Sequence, residues 1–287
     1  MFYICLDILV RSLHDTLVLV PYLYLTYLLI EYIELHLARL SVFYVRKSGE
    51  YGPLIGGLLG LIPQCGFSVA GANLYATGLI TLGTLLAVFL STSDEMLPIL
   101  LSHGENVGIV TKILFLKLVY AIIAGYLIDK YLPNTFITNK YEANISEFCK
   151  REKCKCGDKK NIWKSAFHHT ERISLFIFFF ALIMNFVFLF SDESAIKDTL
   201  VHMPFFGKFI IAGIGLIPSC YPSILFTQLY IAGTISLGSL IAGTLSNAGL
   251  GMLVLYRVNT NKNETLKIIG LLYAIGVIFG IITDIFA

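Results

Sequence analysis

One interrupted apolar segment occurs twice in this chain, at a constant separation of 155 residues. Residues 60–87, which begin GLIPQCGFS, align without a gap to residues 215–242, which begin GLIPSCYPS, with 14 identities in 28 positions. The identities include proline, cysteine, tyrosine and glycine, which chance matches between apolar segments do not explain. The same offset pairs Asp129 with Asp284. The chain therefore consists of two related halves.

Both halves are apolar enough to lie in a membrane. Of the 287 residues, 56% are hydrophobic and 14% are charged, and the mean hydropathy is +0.78; a soluble domain has about 25% charged residues. Unbroken apolar runs of the roughly 20 residues that cross a bilayer lie near 17–37, 107–127, 173–190 and 266–286. Between them, Gly, Pro and polar residues cut the chain into pieces of about 10 to 13 residues, which as helices cross half the hydrocarbon layer. We therefore predict an all-α polytopic membrane protein of roughly ten helical segments, with broken or re-entrant helices.

The distribution of charge predicts how the halves are inserted. We divide the chain into a first membrane repeat at 1–134, a linker at 135–165 and a second membrane repeat at 166–287. The linker is rich in Lys and Arg, which places it in the cytoplasm. Segment 39–51 contains three basic residues, whereas its counterpart 191–204 contains three acidic residues and one lysine. Matched loops thus prefer opposite sides, which indicates an inverted-topology repeat with both termini outside, an arrangement typical of secondary transporters.

The two breaks contain the residues that point to a transport site. Pro and Gly interrupt the helices at 63–66 and at 218–222. The backbone groups released there cannot face lipid and must face protein or a water-filled cavity. If two-fold symmetry relates the halves, the breaks meet near the midplane. The alternative is that these polar side chains only hold closely packed helices together. The predicted substrate-binding residues at the breaks are Gln64, Cys65, Ser68, Asn73, Ser219, Cys220, Ser223 and Gln228.

Acidic residues near the apolar segments are the predicted coupling or gating groups. Asp94 and Glu95 follow a short apolar segment whose counterpart is followed by Asn247, and we add all three to the predicted substrate-binding residues. Glu31 lies within the first apolar run and joins Asp94 and Glu95 as a coupling or gating residue. Carboxylates within or bordering membrane spans are costly and are usually functional. Asp94 and Glu95 could instead cap the helix that follows them.

Three of the six cysteines lie in the basic linker. Cys149, Cys154 and Cys156 form a candidate metal-binding group, because thiolates bind soft or borderline ions such as Zn²⁺ and Cu(I). Their spacing is not that of a standard zinc knuckle, so a flexible basic loop without metal is the alternative. The cysteines do not form a disulfide framework, because four of the six lie in or near segments that we place in the cytoplasm or the membrane.

Several segments together resemble a known family: PYLYLTYLLIEYIE, GPLIGGLLGLIPQCGFSVAGANLYATGLITLGTLLAVFLSTSDEMLPILL, GLIPSCYPSILFTQLY and GTISLGSLIAGTLSNAGLGMLVLYRVN. The chain is similar over nearly its whole length to bacterial and archaeal permeases classed as manganese transporters, arsenic-efflux proteins or ten-helix heavy-metal exporters. The resemblance implies a multi-pass permease of the prokaryotic plasma (inner) membrane. It also implies that the recurring polar positions of the family are occupied here by Gln64, Cys65, Asn73, Asp94, Glu95, Cys220 and Asn247.

We predict a secondary transporter that exports a metal or metalloid ion, such as Mn²⁺, another heavy metal or arsenite, through a midplane site between the two breaks. The alternative is a transporter of an organic anion or oxyanion coupled to H⁺ or Na⁺, because half-helix N-termini attract anions. No Walker, HExxH or GxSxG motif occurs, so we expect neither enzyme activity nor a cofactor apart from a transported metal ion. The formal net charge of +2 does not indicate nucleic-acid binding. The expected partners are the lipid bilayer and a transported ion or small solute, and a homo-oligomer is left open.

Overall fold

The computed structural model describes positions within 9–28 and residues 51–62, 66–93, 96–102, 107–132, 162–189, 207–259 and 261–286. Helix is the only regular secondary structure in these ranges, and the described positions within 9–28 are helical as well. The helices with defined bounds are α1 (Gly52–Gly60), α2 (Gly66–Ala76), α3 (Leu82–Ser91), α4 (Met96–Ser102), α5 (Val107–Tyr131), α6 (Ile162–Leu189), α7 (Gly207–Gly215), α8 (Tyr221–Ile231), α9 (Leu237–Ser246), α10 (Leu250–Val258) and α11 (Lys262–Phe286).

The helix bounds repeat the sequence offset residue for residue. Adding 155 to the bounds of α1, α2, α3 and α5 gives the bounds of α7, α8, α9 and α11. The two halves therefore share one order of helices, with one short helix directly before and one directly after each break and a long helix at the end of each half. The direction in which each half crosses the membrane stays a prediction.

Matched turns separate the short helices. After α2, the Gly78 N–H donates to the Tyr75 carbonyl at 2.9 Å and the Leu79 N–H to the Leu74 carbonyl at 2.8 Å, the paired bonds of a Schellman ending. This ending needs a left-handed residue, and Gly78 has a φ of 77°. Gly233 has a φ of 69° at the same point after α8. The matched glycines therefore serve to end a helix.

An aspartate from each long helix holds the start of the short helix beside it. On α5, the Asp129 carboxylate accepts hydrogen bonds from the Gly83 N–H and the Thr81 hydroxyl, both at 2.7 Å. On α11, Asp284 accepts from the Gly238 N–H at 2.7 Å and from the Ser236 hydroxyl at 2.8 Å. A carboxylate at a helix N-terminus satisfies orphan N–H groups and complements the helix dipole. We call these two sets of contacts the aspartate clamps.

The interrupted helices lie inside the protein and the long unbroken helices lie outside them. In the part of the chain that the structure describes, four segments are long and apolar enough to cross a membrane: Leu82–Leu101, within which residues 94 and 95 are not described, Val107–Tyr131, Leu237–Val258 and Lys262–Phe286. In the most apolar window of Leu237–Val258, 89% of residues are buried, against 33% in that of Lys262–Phe286. The long helices α5 and α11 therefore present apolar side chains outwards, as lipid contact requires, and enclose the broken helices.

Two seams join the halves. Helix α2 of the first half packs along α10 of the second, and α4 of the first half packs along α8 of the second. We call these contacts the α2–α10 seam and the α4–α8 seam. Within each half, the ten-residue helix is packed against both of its neighbours, α3 between α1 and α5, and α9 between α7 and α11. Helices α3 and α9 also contact each other, so they meet between the two halves.

Candidate functional site

A small polar cavity lies where the two ten-residue helices end. Helices α3 and α9 reach it with their C-terminal ends and α8 with its N-terminal end, while α5 passes beside it. Its volume is about 10 Å³, room for about one water. The lining residues are Thr92, Ser93, Met96, Lys117, Ser223, Thr244 and Asn247.

Lys117 brings a positive charge into this cavity from the middle of α5. Its side chain is 0% exposed. The ammonium donates a hydrogen bond to the backbone oxygen of Thr92, the C-cap of α3, and another to that of Thr244 in the last turn of α9, at 3.4 Å. Lys117 therefore connects the helix ends of the two halves.

The ends of α3 and α9 explain why a lysine is tolerated at this depth. The last carbonyls of a helix have no partner within the helix and carry partial negative charge. An ammonium supplies the missing donors and complements both helix dipoles at once. A charge buried without such partners would cost far more than the fold could offset.

The break between α7 and α8 adds hydroxyl and thiol groups beside the cavity. Helix α7 ends at Gly215 and α8 begins at Tyr221, with Cys220 as its N-cap. The Ser223 hydroxyl donates to the Cys220 carbonyl at 2.8 Å, while Cys220 is half-buried. In the part of the chain that the structure describes, the buried Ser219 hydroxyl has no hydrogen-bond partner. A buried hydroxyl left without a partner costs about 1–3 kcal/mol, so a ligand or a water that hydrogen-bonds to Ser219 would recover that free energy.

Asn247 lines the cavity at the end of α9. It is the C-cap of α9, and its side-chain oxygen accepts a hydrogen bond from the Gly249 N–H at 2.9 Å. Gly249 has a φ of 54°, which glycine adopts at little cost, and α10 begins at the next residue. The asparagine thus turns the chain from α9 into α10 while lining the cavity.

The structure brings some of the predicted site residues together and separates others. Ser223 and Asn247 line the cavity, and Ser219 and Cys220 lie in the adjoining break. Ser68 is fully buried on α2, at the α2–α10 seam, where it contacts Gly251.

Asn73 and Gln228, aligned in sequence, lie in different surroundings. Asn73 is buried, accepts a hydrogen bond from the Tyr27 hydroxyl at 2.9 Å and donates one to the Val69 carbonyl at 3.0 Å. Gln228 is exposed on α8. Neither is among the residues that line the cavity.

Other predicted residues lie outside the described part of the chain. Within the residues that the structure does describe, no group of three His, Cys, Asp or Glu side chains could hold a metal ion. Residues not described are the substrate-binding and coupling candidates Glu31, Gln64, Cys65, Asp94 and Glu95, and the linker cysteines Cys149, Cys154 and Cys156.

Five of the cavity residues were missed by sequence reasoning. They are Thr92, Ser93, Met96, Lys117 and Thr244. A signal existed for Lys117, because a lysine in the middle of a 25-residue apolar helix is functional more often than not. The internal repeat gives no signal at this position, since the residue that matches Lys117 is Leu272.

Comparison with known proteins gives a family match and no closer relative. The sequence matches a family described as "Putative, 10TM heavy-metal exporter" over residues 5–186 and 149–259, so that together the matches cover 5–259. No curated protein and no solved structure matches the chain. The match and the apolar helices confirm the predicted class, an all-α polytopic membrane protein.

Proposed function

The chain belongs to this family of 10TM heavy-metal exporters, as its motifs predicted, and on that premise we propose that it exports a metal or metalloid ion through the polar cavity between α3, α8 and α9. The family supports a multi-pass membrane transporter with the bilayer and a transported ion as partners. The observation that carries the proposal is the convergence of broken-helix ends on a polar cavity lined by Ser223 and Asn247. Secondary transporters bind substrate where such helices meet.

Side chains at the cavity suggest which ions it takes. Ser223 and Asn247 are the described side chains that we place against the substrate, with the Cys220 thiol beside them. Oxygen and amide groups suit Mn²⁺, whereas thiols suit soft ions and arsenite. Gln64, Cys65, Asp94 and Glu95 complete the proposed site from the sequence prediction. No enzymatic step and no cofactor enter the proposal.

Vesicles that contain the purified full-length chain test the proposal. Uptake or release of Mn²⁺, Zn²⁺ and arsenite is followed in the presence and absence of a proton or sodium gradient. We expect transport of at least one ion, and at least a tenfold lower rate for Ser223→Ala and Asn247→Ala. Thr111→Val, an exposed position on α5, is the control that keeps the wild-type rate. A wild-type protein that transports none of the three ions would overturn the metal proposal.

The two cysteines have a test of their own. Cys65→Ala and Cys220→Ala each impair transport of a soft ion or arsenite while the protein remains folded and inserted. Full activity in the double variant would show that the thiols are packing groups and that oxygen and nitrogen atoms bind the ion.

Transport of an oxyanion or organic anion is the second candidate, and Lys117 is the observation that favours it. An ammonium beside the N-terminal end of α8 suits a ligand with negatively charged oxygen atoms. Thermal unfolding in the presence of phosphate, arsenate, a dicarboxylate or Mn²⁺ separates the candidates. Stabilisation by an anion, with no effect of Mn²⁺, would replace the metal proposal by this one.

We further propose the inverted arrangement for these halves, with both termini outside and the linker in the cytoplasm of a prokaryote. Matched helix bounds and the opposite charges of matched loops support it. Tags at each terminus and in the linker, probed on intact and permeabilised cells, test it. The termini should be accessible on intact cells and the linker only after permeabilisation; a terminus that behaves like the linker would contradict the inverted repeat.

A further inference from the structure

The hydroxyl groups of the polar cavity offer lone pairs rather than protons. A serine or threonine hydroxyl has one proton to donate and two lone pairs that accept. Each of the four hydroxyls that the structure describes at the cavity donates its proton to a backbone carbonyl, over distances of 2.7–3.1 Å. These hydroxyls belong to Thr92, Ser93, Ser223 and Thr244. A group that enters the cavity therefore meets oxygen atoms that can accept a hydrogen bond or bind a cation.

Backbone oxygens at two helix ends add to this set. The carbonyl oxygens of Thr92, at the end of α3, and Thr244, in the last turn of α9, both accept hydrogen bonds from the ammonium of Lys117. Carbonyls at a helix C-terminus carry partial negative charge. In secondary transporters, helix C-terminal ends and unwound carbonyls bind the coupling cation. The oxygens around the Lys117 ammonium are thus of the kind that binds Na⁺ or K⁺.

The ammonium matches such an ion in both charge and size. It carries one positive charge, and a primary ammonium group is close in radius to K⁺. Lys117 is 0% exposed, so its charge stays at these oxygens rather than in water. The matching residue of the second half is Leu272, so the second half supplies the Thr244 oxygen but no ammonium at this position. One tethered cation therefore serves the helix ends of both halves.

We propose that Lys117 occupies a monovalent-cation site, formed by the ends of α3 and α9 and the cavity hydroxyls, which binds Na⁺ or K⁺ once the ammonium is removed. The inference goes beyond the proposed function, because it concerns a bound cation and not the exported ion. If Lys117 only joined the two helix ends, its removal would weaken the protein equally in every salt. A free cation that replaces the ammonium stabilises the protein in proportion to its occupancy, so its effect depends on concentration.

Two substitutions at position 117 separate charge from space. Lys117→Ala removes the ammonium and the side chain beyond Cβ, so the oxygens lose their cation and room for an ion appears. Lys117→Met removes the ammonium but fills most of the space, because methionine is similar to lysine in length. A Na⁺ or K⁺ ion can therefore enter the first variant and not the second. Lys112→Ala, on the exposed face of the same helix, is the control for a lysine lost elsewhere.

Thermal unfolding of the detergent-solubilised full-length protein is the first test. Tm is measured in NaCl, KCl and N-methyl-D-glucamine chloride at equal concentrations up to about 300 mM, because the last of these cations is too large for the cavity. Na⁺ or K⁺ at about ten times its dissociation constant should raise the Tm of Lys117→Ala by about 3–6 °C. The wild type, Lys117→Met and Lys112→Ala should differ by no more than about 1 °C between the three salts.

The variants also define the results that would overturn the proposal. A Lys117→Ala protein that unfolds at the same temperature in all three salts would do so, because its oxygens would then bind no ion. An equal rise in Lys117→Met or in the wild type would do so as well, since the ion would bind elsewhere. Lys117→Ser leaves similar space and is the second variant. If neither Lys117→Ala nor Lys117→Ser folds in Na⁺ or K⁺, the cation does not replace the ammonium and the proposal is wrong.

Transport in vesicles is the second test, and it rests on the proposed function. The wild-type rate for Mn²⁺ or arsenite should agree within about twofold in Na⁺, K⁺ and N-methyl-D-glucamine, because the ammonium fills the site in every medium. Lys117→Ala should be about tenfold or more slower in N-methyl-D-glucamine than in Na⁺ or K⁺. A wild-type rate that depends on Na⁺ or K⁺, or a variant rate that does not, would contradict the proposal. A salt-dependent Tm of Lys117→Ala together with a wild type that moves neither Mn²⁺ nor arsenite would refute the proposed function alone.

Discussion

Replacement of Lys117 by methionine tests whether its ammonium holds the ends of α3 and α9 together. Methionine has a similar length and no donor, so the backbone oxygens of Thr92 and Thr244 lose the hydrogen bonds from this ammonium. Each buried acceptor left without a donor costs about 1–3 kcal/mol. The variant also avoids the cost of dehydrating an ammonium, which offsets part of the loss. Two such acceptors together cost about 2–6 kcal/mol, and the offset leaves an expected net destabilisation of about 2–4 kcal/mol.

Thermal unfolding of the detergent-solubilised protein measures this effect. At about 2–4 °C per kcal/mol for a chain of this order of size, Lys117→Met should lower Tm by about 5–15 °C. Lys112→Met is the matched control, because Lys112 lies on the same helix with its side chain exposed, and its effect should stay within about 0.5 kcal/mol.

A third variant separates the charge from the packing. Lys117→Arg keeps the positive charge and the donors, but the cavity has room for only about one water, so the larger group overpacks it by about 1–3 kcal/mol. Both Lys117 variants should therefore be less stable than Lys112→Met. A Lys117→Met protein that unfolds at the wild-type temperature would refute the reasoning, because the two helix ends would then be held by packing alone.

Three further predictions concern the frame around the cavity, each measured by the same thermal unfolding. Asp284→Ala should destabilise the protein by about 1–2 kcal/mol more than Asp129→Ala. Both variants lose an aspartate clamp, but only Asp284→Ala also removes the ion pair with the buried Lys208. Equal effects would show that the ion pair adds nothing to stability. Gly83→Ala should cost about 3 kcal/mol or more, because its Cβ would overlap the Gly125 carbonyl, whereas Gly270→Ala has nothing within 4 Å and should be neutral or stabilising by up to about 1 kcal/mol. Gly233→Ala also has open space but a φ of 69°, so a loss of about 1 kcal/mol is expected from backbone strain alone, and no loss would mean that the turn relaxes.

The internal repeat allowed much of the frame to be predicted from sequence. Pairs such as Gly83 with Gly238 and Asp129 with Asp284 stand out because their residue types are unusual in apolar segments. In the structure, the two aspartates form the aspartate clamps, and the two glycines allow the helices beside them to pack closely. The alignment predicted that these residues matter, but their hydrogen bonds depend on how α5 packs on α3, which spacing along the chain does not specify.

Alignment predicts shared backbone better than shared environment, as Asn73 and Gln228 show. The offset places both on matched helices, α2 and α8. Tyr27 donates to Asn73, but the residue that matches Tyr27 is Leu182, which has no donor. Asn73 is therefore buried in a hydrogen-bonded contact, while Gln228 is exposed. A single difference in a neighbouring helix changes what an aligned amide can do.

The residues that break the symmetry bear most directly on function. Lys117 corresponds to Leu272 and Glu264 to Ile109, so each charge occurs in one half alone. In the proposed inverted arrangement, two identical halves would make the inward-open and outward-open states equal in energy, because exchanging the halves converts one state into the other. In that arrangement, an unmatched charge such as Lys117 makes the two states unequal in energy.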